Sequence, residues 1–237
     1  MARVLLIGGL DSSCGAGLVR DAATVMAAGH QPIVCATAVT AQGGQGVTAI
    51  HPVPAEVIAA QITEADAVKI GMLCDETTVH AVAEALSNFH MTIVLDPVIA
   101  ASSGGRLLSD NGIRAMLDLL LPKVTLITPN LPELRILADF CGTATGSTSD
   151  LARTLLQRGA ANVLVKGGHD TGPEATDILY GPATPIHLTG PRHSGNPRGT
   201  GCTMASAIAC ALAEGAALLD ACARGKQAVS RLFAAAG

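Results

Sequence analysis

Residues 67–95, Ala-Val-Lys-Ile-Gly-Met-Leu-Cys-Asp-Glu-Thr-Thr-Val-His-Ala-Val-Ala-Glu-Ala-Leu-Ser-Asn-Phe-His-Met-Thr-Ile-Val-Leu, hold two short apolar runs on either side of an alanine-rich segment. The runs Ala67–Ile70 and Thr92–Leu95 are typical of buried strands, and residues 77–86 have apolar side chains at helical spacing. A strand, a helix and a second strand in this order are typical of a parallel sheet. This stretch therefore predicts an α/β fold.

The same alternation continues along the chain in both directions. Further strands are expected at 4–7, 33–39, 124–128 and Val163–Val165, and a further helix at 53–64. Near-continuous apolar strands predict a mostly parallel central sheet that is covered by helices on both faces, in a three-layer sandwich. The one loose connection, 141–149, is too short to link domains, so we expect residues 1–237 to form a single domain.

Composition excludes several classes of protein. A formal net charge of −4 gives no basic surface for nucleic acid, and no uncharged apolar run is long enough to cross a membrane. The seven cysteines are odd in number and form no CxxC motif, so we expect neither a disulfide framework nor a zinc site. A reducing, cytoplasmic location is predicted.

The strongest motif is Arg-Gly-Thr-Gly-Cys-Thr at 198–203, directly before a run of small residues. The glycines at Gly199 and Gly201, on either side of Thr200, allow backbone N–H groups to converge on an anion at a helix N-terminus. We expect the pKa of Cys202 in the first turn to lie below the ordinary value of about 8.5, so that its thiolate can take a proton. A glycine turn before a buried helix with an inert cysteine accounts for the motif equally well.

Three polar residues follow predicted strands, where ligands of parallel sheets bind. Asp96 comes directly after the strand at 92–95, and Asn130 and Glu133 come after the strand at 124–128. Their oxygens suit Mg²⁺ and its waters. For Asn130 and Glu133 a helix capping box is the alternative, and one residue can serve both purposes.

Lys166 ends the strand Val163–Val165 beside two glycines, and its compact charge can approach phosphates. A solvated lysine is the alternative. Two nucleotide-binding motifs are absent from the sequence. Arg20 stands where a GxGxxG fingerprint needs its third glycine, and no GxxxxGK[ST] P-loop occurs.

Taken in order, the motifs resemble those of the ribokinase superfamily and, within it, the hydroxymethylpyrimidine/phosphomethylpyrimidine kinases of thiamine biosynthesis. The resemblance covers essentially the whole chain. The segments that carry it are 11–21, 40–42, 51–54, 66–73, 94–98, 126–133, 165–169 and 199–203.

The resemblance implies a ribokinase-like fold and an ATP-dependent kinase that phosphorylates the hydroxymethyl group of a small pyrimidine. It implies ATP and Mg²⁺ as cofactors and a homodimer as the assembly. On the substrate side, it implies that Asp21 and Gln42 hydrogen-bond the pyrimidine and its amine, while Met72 and Val98 form apolar walls.

The resemblance also assigns the transfer machinery. Cys202 would activate the hydroxymethyl oxygen, the amides of 199–202 would form the anion hole, and Lys166 would contact the transferring phosphates. Mg²⁺ and its waters would be organised by Asp96, Asn130 and Glu133.

Two alternatives remain open: a pyridoxal kinase of the same superfamily, and a non-catalytic pyrimidine-binding protein. Phosphorylation of the monophosphate to the diphosphate is also left open. The chain departs from the family's usual pattern at Cys14, where glycine is usual, and at Arg198, where histidine is usual.

Overall fold

The computed structural model describes residues 1–43, 46–101, 104–167, 172–195 and 197–236. Nine strands lie in the described part of the chain: β1 (Arg3–Asp11), β2 (Gln31–Gly43), β3 (Gly46–Pro52), β4 (Ala67–Ile70), β5 (Thr92–Leu95), β6 (Leu126–Ile127), β7 (Val163–Val165), β8 (Glu174–Tyr180) and β9 (Ile186–Pro191). The α-helices of the same residues are α1 (Gly17–Ala27), α2 (Ala55–Gln61), α3 (Glu76–Leu86), α4 (Asp110–Ala115), α5 (Leu131–Phe140), α6 (Thr148–Gln157), α7 (Thr200–Ala213) and α8 (Leu218–Ala236).

The strands form one sheet in the order β3-β2-β1-β4-β5-β6-β7-β8-β9. The six central strands, from β2 to β7, pair in parallel. The remaining strands, β3 at one edge and β8 and β9 at the other end, pair antiparallel to their neighbours. The predicted α/β architecture with a mostly parallel sheet is confirmed.

Successive side chains of each central strand point to opposite faces of the sheet, and each face has its own apolar core. On β1, Leu5 and Ile7 pack with α2 to α6, whereas Val4 and Leu6 pack with α1, α7 and α8. Helices therefore cover both faces, as the near-continuous apolar strands predicted. The carboxyl ends of the parallel strands meet at one edge of this sandwich.

The boundaries expected for β4, β5 and β7 are those observed, whereas other elements differ. The helix expected at 53–64 is shorter because Pro54 is its N-cap and Ile62 is already extended. The strand expected at 124–128 has only two paired residues, Leu126 and Ile127. We did not predict β3, β8 or β9, whose half-exposed residues lack the apolar continuity of the central strands.

None of the helices among the described residues is both long enough and apolar enough to cross a bilayer.

Candidate active site

One cavity of about 540 Å³ opens at the carboxyl ends of the parallel strands. Its lining includes all twelve residues expected in the site: Asp21, Gln42, Met72, Asp96, Val98, Asn130, Glu133, Lys166, Gly199, Thr200, Gly201 and Cys202. A second hollow of about 730 Å³ lies between α2 and α3 and contains none of them. The fold therefore gathers residues that are up to 181 positions apart in the chain into one place.

The N-terminus of α7 forms one wall of the cavity. Gly199 is its N-cap and has a φ of 81°, and a Cβ at this position would lie 2.6 Å from the carbonyl oxygen of Gly15. Only glycine fits there, because the conformation is left-handed and the backbone is close. The first amides of a helix have no partner within the helix, so those of Thr200, Gly201 and Cys202 are suited to bind an anion.

Lys166 lies opposite that helix end, beside two carboxylates. Its Nζ donates to Asp96 Oδ1 over 2.8 Å and lies 3.9 Å from Glu133 Oε2. Burial alone would raise the pKa of Asp96, but Lys166 and Lys69 hold it below its ordinary value. A Cβ on Gly201 would lie 3.3 Å from both Asp96 Oδ2 and Lys166 Nζ. The glycine therefore brings the α7 amides close to this ion pair.

Asn130 and Glu133 form the capping box of α5. Asn130 Oδ1 accepts from the Glu133 N–H over 2.8 Å, and Glu133 Oε2 accepts from the Asn130 N–H over 2.8 Å. Burial raises the pKa of Glu133 to about 7, against the opposing effect of Lys166. The capping interpretation is confirmed, and both side chains also line the cavity.

The donor set of this corner suits Mg²⁺. Asp96, Asn130 and Glu133 present hard oxygen atoms, and Mg²⁺ retains most of its waters and needs few direct protein ligands. Among the described residues, no three His, Cys, Asp or Glu side chains are grouped closely enough to hold a metal ion by themselves. The fit is therefore to a hydrated ion.

The expectation that Cys202 has a lowered pKa is wrong. Burial raises its pKa to about 11, and the nearby Asp21 and Asp96 carboxylates add to the rise. Lys69 and the N–H of Gly17 oppose it without reversing it. The sequence placed Cys202 correctly in the first turn of α7, but it does not show how far packing removes the thiol from water.

Asp21 is fully buried, and both of its carboxylate oxygens have partners. Oδ2 accepts from Lys69 Nζ over 2.7 Å, and Oδ1 accepts from Ser206 Oγ over 2.8 Å. The carboxylate is therefore engaged by Lys69 and Ser206, and Asp21 also lines the cavity. Sequence reasoning did not single out Lys69 as a site residue. The sequence feature that could have identified it is a lysine inside the otherwise apolar strand Ala67–Ile70.

The other expected substrate residues form a mixed polar and apolar wall. Met72 and Val98 belong to one apolar cluster, and Met72 packs against Gly9, where a Cβ would lie 2.7 Å from the methionine sulfur. The backbone of Gln42 is held by Ser12, whose Oγ accepts from the Gln42 N–H over 3.0 Å.

Of the two departures from the family pattern, Arg198 lines the cavity and bonds to the loop that contains Cys14. Arg198 donates to Asp11 Oδ2 over 2.9 Å and to Ser13 Oγ over 2.6 Å, which ties the loop after β1 to the loop before α7. Cys14 has a φ of 58°, the left-handed conformation that a glycine would adopt, and its side chain is exposed. It does not line the cavity.

Two residues of the expected segment 165–169, Gly168 and His169, lie outside the described residues.

Comparison with known proteins agrees with this geometry. A protein of Rhizobium meliloti named hydroxymethylpyrimidine/phosphomethylpyrimidine kinase is 39% identical over 99% of this chain and 91% of its own. The solved phosphomethylpyrimidine kinase of Clostridium difficile 630 has a TM-score of 0.83 at 32% identity and covers 98% of this chain and 100% of its own. The pyridoxal kinase of Staphylococcus aureus, in complex with AMP-PCP and pyridoxal, has a TM-score of 0.84 at 28% identity and covers 95% of this chain and 85% of its own. The family model described as phosphomethylpyrimidine kinase matches residues 11–236, and the chain belongs to this family.

Proposed function

We propose that this protein transfers the γ-phosphoryl group of ATP to the hydroxymethyl oxygen of 4-amino-5-hydroxymethyl-2-methylpyrimidine, in thiamine biosynthesis. The observation that carries the proposal is the single cavity in which an open helix N-terminus, the Lys166–Asp96 pair and Cys202 face one another. The names of the relatives support the substrate, and the AMP-PCP complex of the structural neighbour supports the nucleotide. In this proposal residues 1–237 act as one kinase domain.

The residues at the phosphate end of the cavity bind and neutralise negative charge. The amides of 199–202 would hold the transferring phosphoryl group, and Lys166 would contact its oxygens. Asp96, Asn130 and Glu133 would hold a hydrated Mg²⁺ ion, which shields the charge of the phosphates. Phosphoryl transfer depends mostly on such positioning and charge neutralisation, with little covalent chemistry by the protein.

The residues at the acceptor end orient the alcohol. Met72 and Val98 would contact the faces of the ring, and Gln42 would hydrogen-bond its polar edge. Asp21 would act at the same end of the cavity through its ion pair with Lys69. As the bond between the alcohol oxygen and γ-phosphorus forms, the hydroxyl proton would pass to the thiolate form of Cys202, which is a small fraction at neutral pH because the pKa is about 11, and ADP would leave. General-base help of this kind contributes roughly 10²- to 10⁴-fold in rate.

The proposal extends to a second acceptor, the monophosphate of the same pyrimidine, because the names of the relatives include phosphomethylpyrimidine kinase. Pyridoxal is the alternative alcohol. The similarity to the pyridoxal kinase of Staphylococcus aureus favours it, but that protein is less similar in sequence than the pyrimidine kinases.

We also propose a homodimer. β3 is the last strand at its end of the sheet, and Ile50 on it is 37% exposed, so this edge is suited to a partner chain. Light scattering coupled to gel filtration tests it. The cytoplasmic location stays a prediction.

The function is tested by ADP formation and by ³¹P NMR of the product, with wild type and Cys202→Ala side by side. We expect wild type to form the pyrimidine monophosphate and Cys202→Ala to lose at least a hundredfold in kcat while it keeps its thermal midpoint. Binding of the pyrimidine without ATP turnover by wild type would instead support the non-catalytic alternative. Near-full turnover by the variant would remove Cys202 from the mechanism.

A further inference from the structure

Lys69 is a charged side chain in the core of the protein. It lies on β4 between Val68 and Ile70 and is 1% exposed. Its side chain points to the face of the sheet that α1 and α7 cover, as the neighbouring Ala67 does. A lysine is almost never fully buried unless it is paired, so this position calls for an explanation beyond packing.

The ammonium of Lys69 is held by a buried carboxylate, which is itself held by a buried hydroxyl. Asp21 on α1 accepts from Lys69 over 2.7 Å, and Ser206 on α7 donates to the other oxygen of Asp21 over 2.8 Å. Burial alone would lower the pKa of Lys69, but the Asp21 carboxylate raises it above its ordinary value. The lysine is therefore a fixed positive charge.

This charge lies at the acceptor end of the cavity. Cys202 and Ser206 are four residues apart on α7 and share one face, and helix side chains tilt towards the N-terminus. The chain of contacts from Ser206 through Asp21 to Lys69 therefore begins one turn from Cys202. Lys69 lines the same cavity as Cys202, and a Cβ on Gly71 would lie 2.7 Å from its Nζ.

The ammonium keeps hydrogen-bonding capacity in this position. A lysine has three N–H donors, and among the described residues Asp21 is the only recorded acceptor for those of Lys69. The titratable groups that act on Lys69 from the elements around it are Asp21 of α1, Cys202 of α7 and Asp96 after β5. Two donors thus remain for an oxygen atom in the cavity.

We propose that Lys69 is a further catalytic residue, which donates a hydrogen bond to the acceptor oxygen and stabilises the negative charge that develops there. The inference rests on the proposed function, because the acceptor is taken to be an alcohol. The O–H bond of the alcohol breaks and its proton goes to the sulfur of Cys202 in its minor thiolate form. The oxygen forms a bond to γ-phosphorus, and the bond from γ-phosphorus to the bridging oxygen breaks with its electron pair leaving on ADP. Lys69 keeps its protons throughout.

The protein would then hold one buried lysine at the end of the cavity that binds the phosphates and one at the end that binds the alcohol. Lys166, held by Asp96, serves the phosphate end, and Lys69, held by Asp21, serves the alcohol end. Each aspartate keeps its lysine charged inside the protein. Electrostatic groups that are fixed in place before the reaction need no rearrangement during it.

The test compares wild type with Lys69→Met/Asp21→Asn, which removes the ammonium and leaves no unpaired buried carboxylate. Lys69→Arg is the conservative variant, because it keeps a positive charge that can donate hydrogen bonds beside Asp21. We expect kcat of the double variant to fall roughly a hundredfold below that of wild type, with KM for the alcohol within threefold, and Lys69→Arg to retain part of the wild-type kcat. Equal kcat values, or a change in KM alone, would overturn the proposal. If circular dichroism shows the methionine variant unfolded, Lys69→Gln on the same background takes its place.

A second readout does not depend on turnover. Alkylation of Cys202 by iodoacetamide at pH 8, followed on its peptide by mass spectrometry, reports positive charge beside the sulfur. We expect it to be at least tenfold slower in the double variant than in wild type, and equal rates would contradict the assigned position of the charge. A wild type that turns over no alcohol but shows this difference would refute the proposed function and leave the position of Lys69 supported.

Discussion

Lys166 donates to Asp96 over 2.8 Å, although the two residues are 70 positions apart and follow strands that are separated by β6. Both side chains leave the carboxyl ends of parallel strands, so their approach follows from the topology of the sheet. Their side chains are only 14% and 4% exposed, and the loss of one partner would leave the other charged in the core.

Lys166→Met should therefore destabilise the protein as well as inactivate it. We expect a loss of about 3 kcal/mol in the free energy of unfolding, because Asp96 becomes an unpaired buried charge. Lys166→Met/Asp96→Asn should recover more than half of that loss without recovering turnover. Urea unfolding and kcat measure the two effects. A single variant as stable as wild type would show that Asp96 does not depend on Lys166.

Glu133 serves the capping box and faces the cavity, and the two roles can be separated. Its pKa of about 7 lies above its ordinary value, so the native state holds this proton more strongly than the unfolded state does. Stability should consequently fall as pH rises from about 4.5 to 7, and Glu133→Gln should flatten that fall. Thermal midpoints across this pH range measure it.

The control for the cap is Asn130→Ala, which should cost about 1 kcal/mol at every pH in that range. At pH 8 Glu133→Gln should keep its stability, because the glutamine oxygen can still accept from the Asn130 N–H. The same variant should need more Mg²⁺ for half-maximal turnover. An unchanged Mg²⁺ requirement would leave Glu133 with the capping role alone.

Arg198 should support turnover by tying two loops together at the mouth of the site. Arg198→Met removes the bonds to Asp11 and Ser13, and we expect kcat to fall about tenfold because the loop before α7 is less well positioned. Arg106→Met is the matched control, since its ion pair with Asp110 is exposed and lies outside the cavity. Equal kcat values for the two variants would show that the hydrogen bonds of Arg198 to Asp11 and Ser13 have no catalytic effect.

Cys202 should resist alkylation at neutral pH. With a pKa of about 11, its thiolate fraction rises about tenfold per pH unit from pH 7 to pH 10. The iodoacetamide rate measured on the Cys202 peptide should rise in parallel, without a plateau. A plateau below pH 9 would mean that the thiol is more acidic than its burial allows.

Much of this arrangement could be predicted from the sequence, because its signals are local. An apolar run of four residues specifies a buried strand such as β4 or β5, and a polar residue directly after such a run lies at the edge where ligands bind. Asp96, Asn130 and Lys166 were found in this way, and the glycines around Thr200 indicated an open helix N-terminus.

Burial and pairing could not be predicted in the same way, because they depend on elements that are distant in the chain. The pKa of Cys202 is set by burial and by Lys69, Asp21 and Asp96, which lie outside its own helix. The partner of Asp21 is Lys69, 48 residues away. The edge strand β9 escaped prediction because none of its six residues is buried.

The central claim is that the acceptor is the pyrimidine alcohol, and one measurement tests it most directly. It is the ratio of kcat/KM for 4-amino-5-hydroxymethyl-2-methylpyrimidine to kcat/KM for pyridoxal, with ATP and Mg²⁺ and each alcohol alone. We predict a ratio well above one, with the pyrimidine monophosphate also consumed. A ratio below one would contradict the assigned substrate while leaving the fold and the transfer mechanism intact.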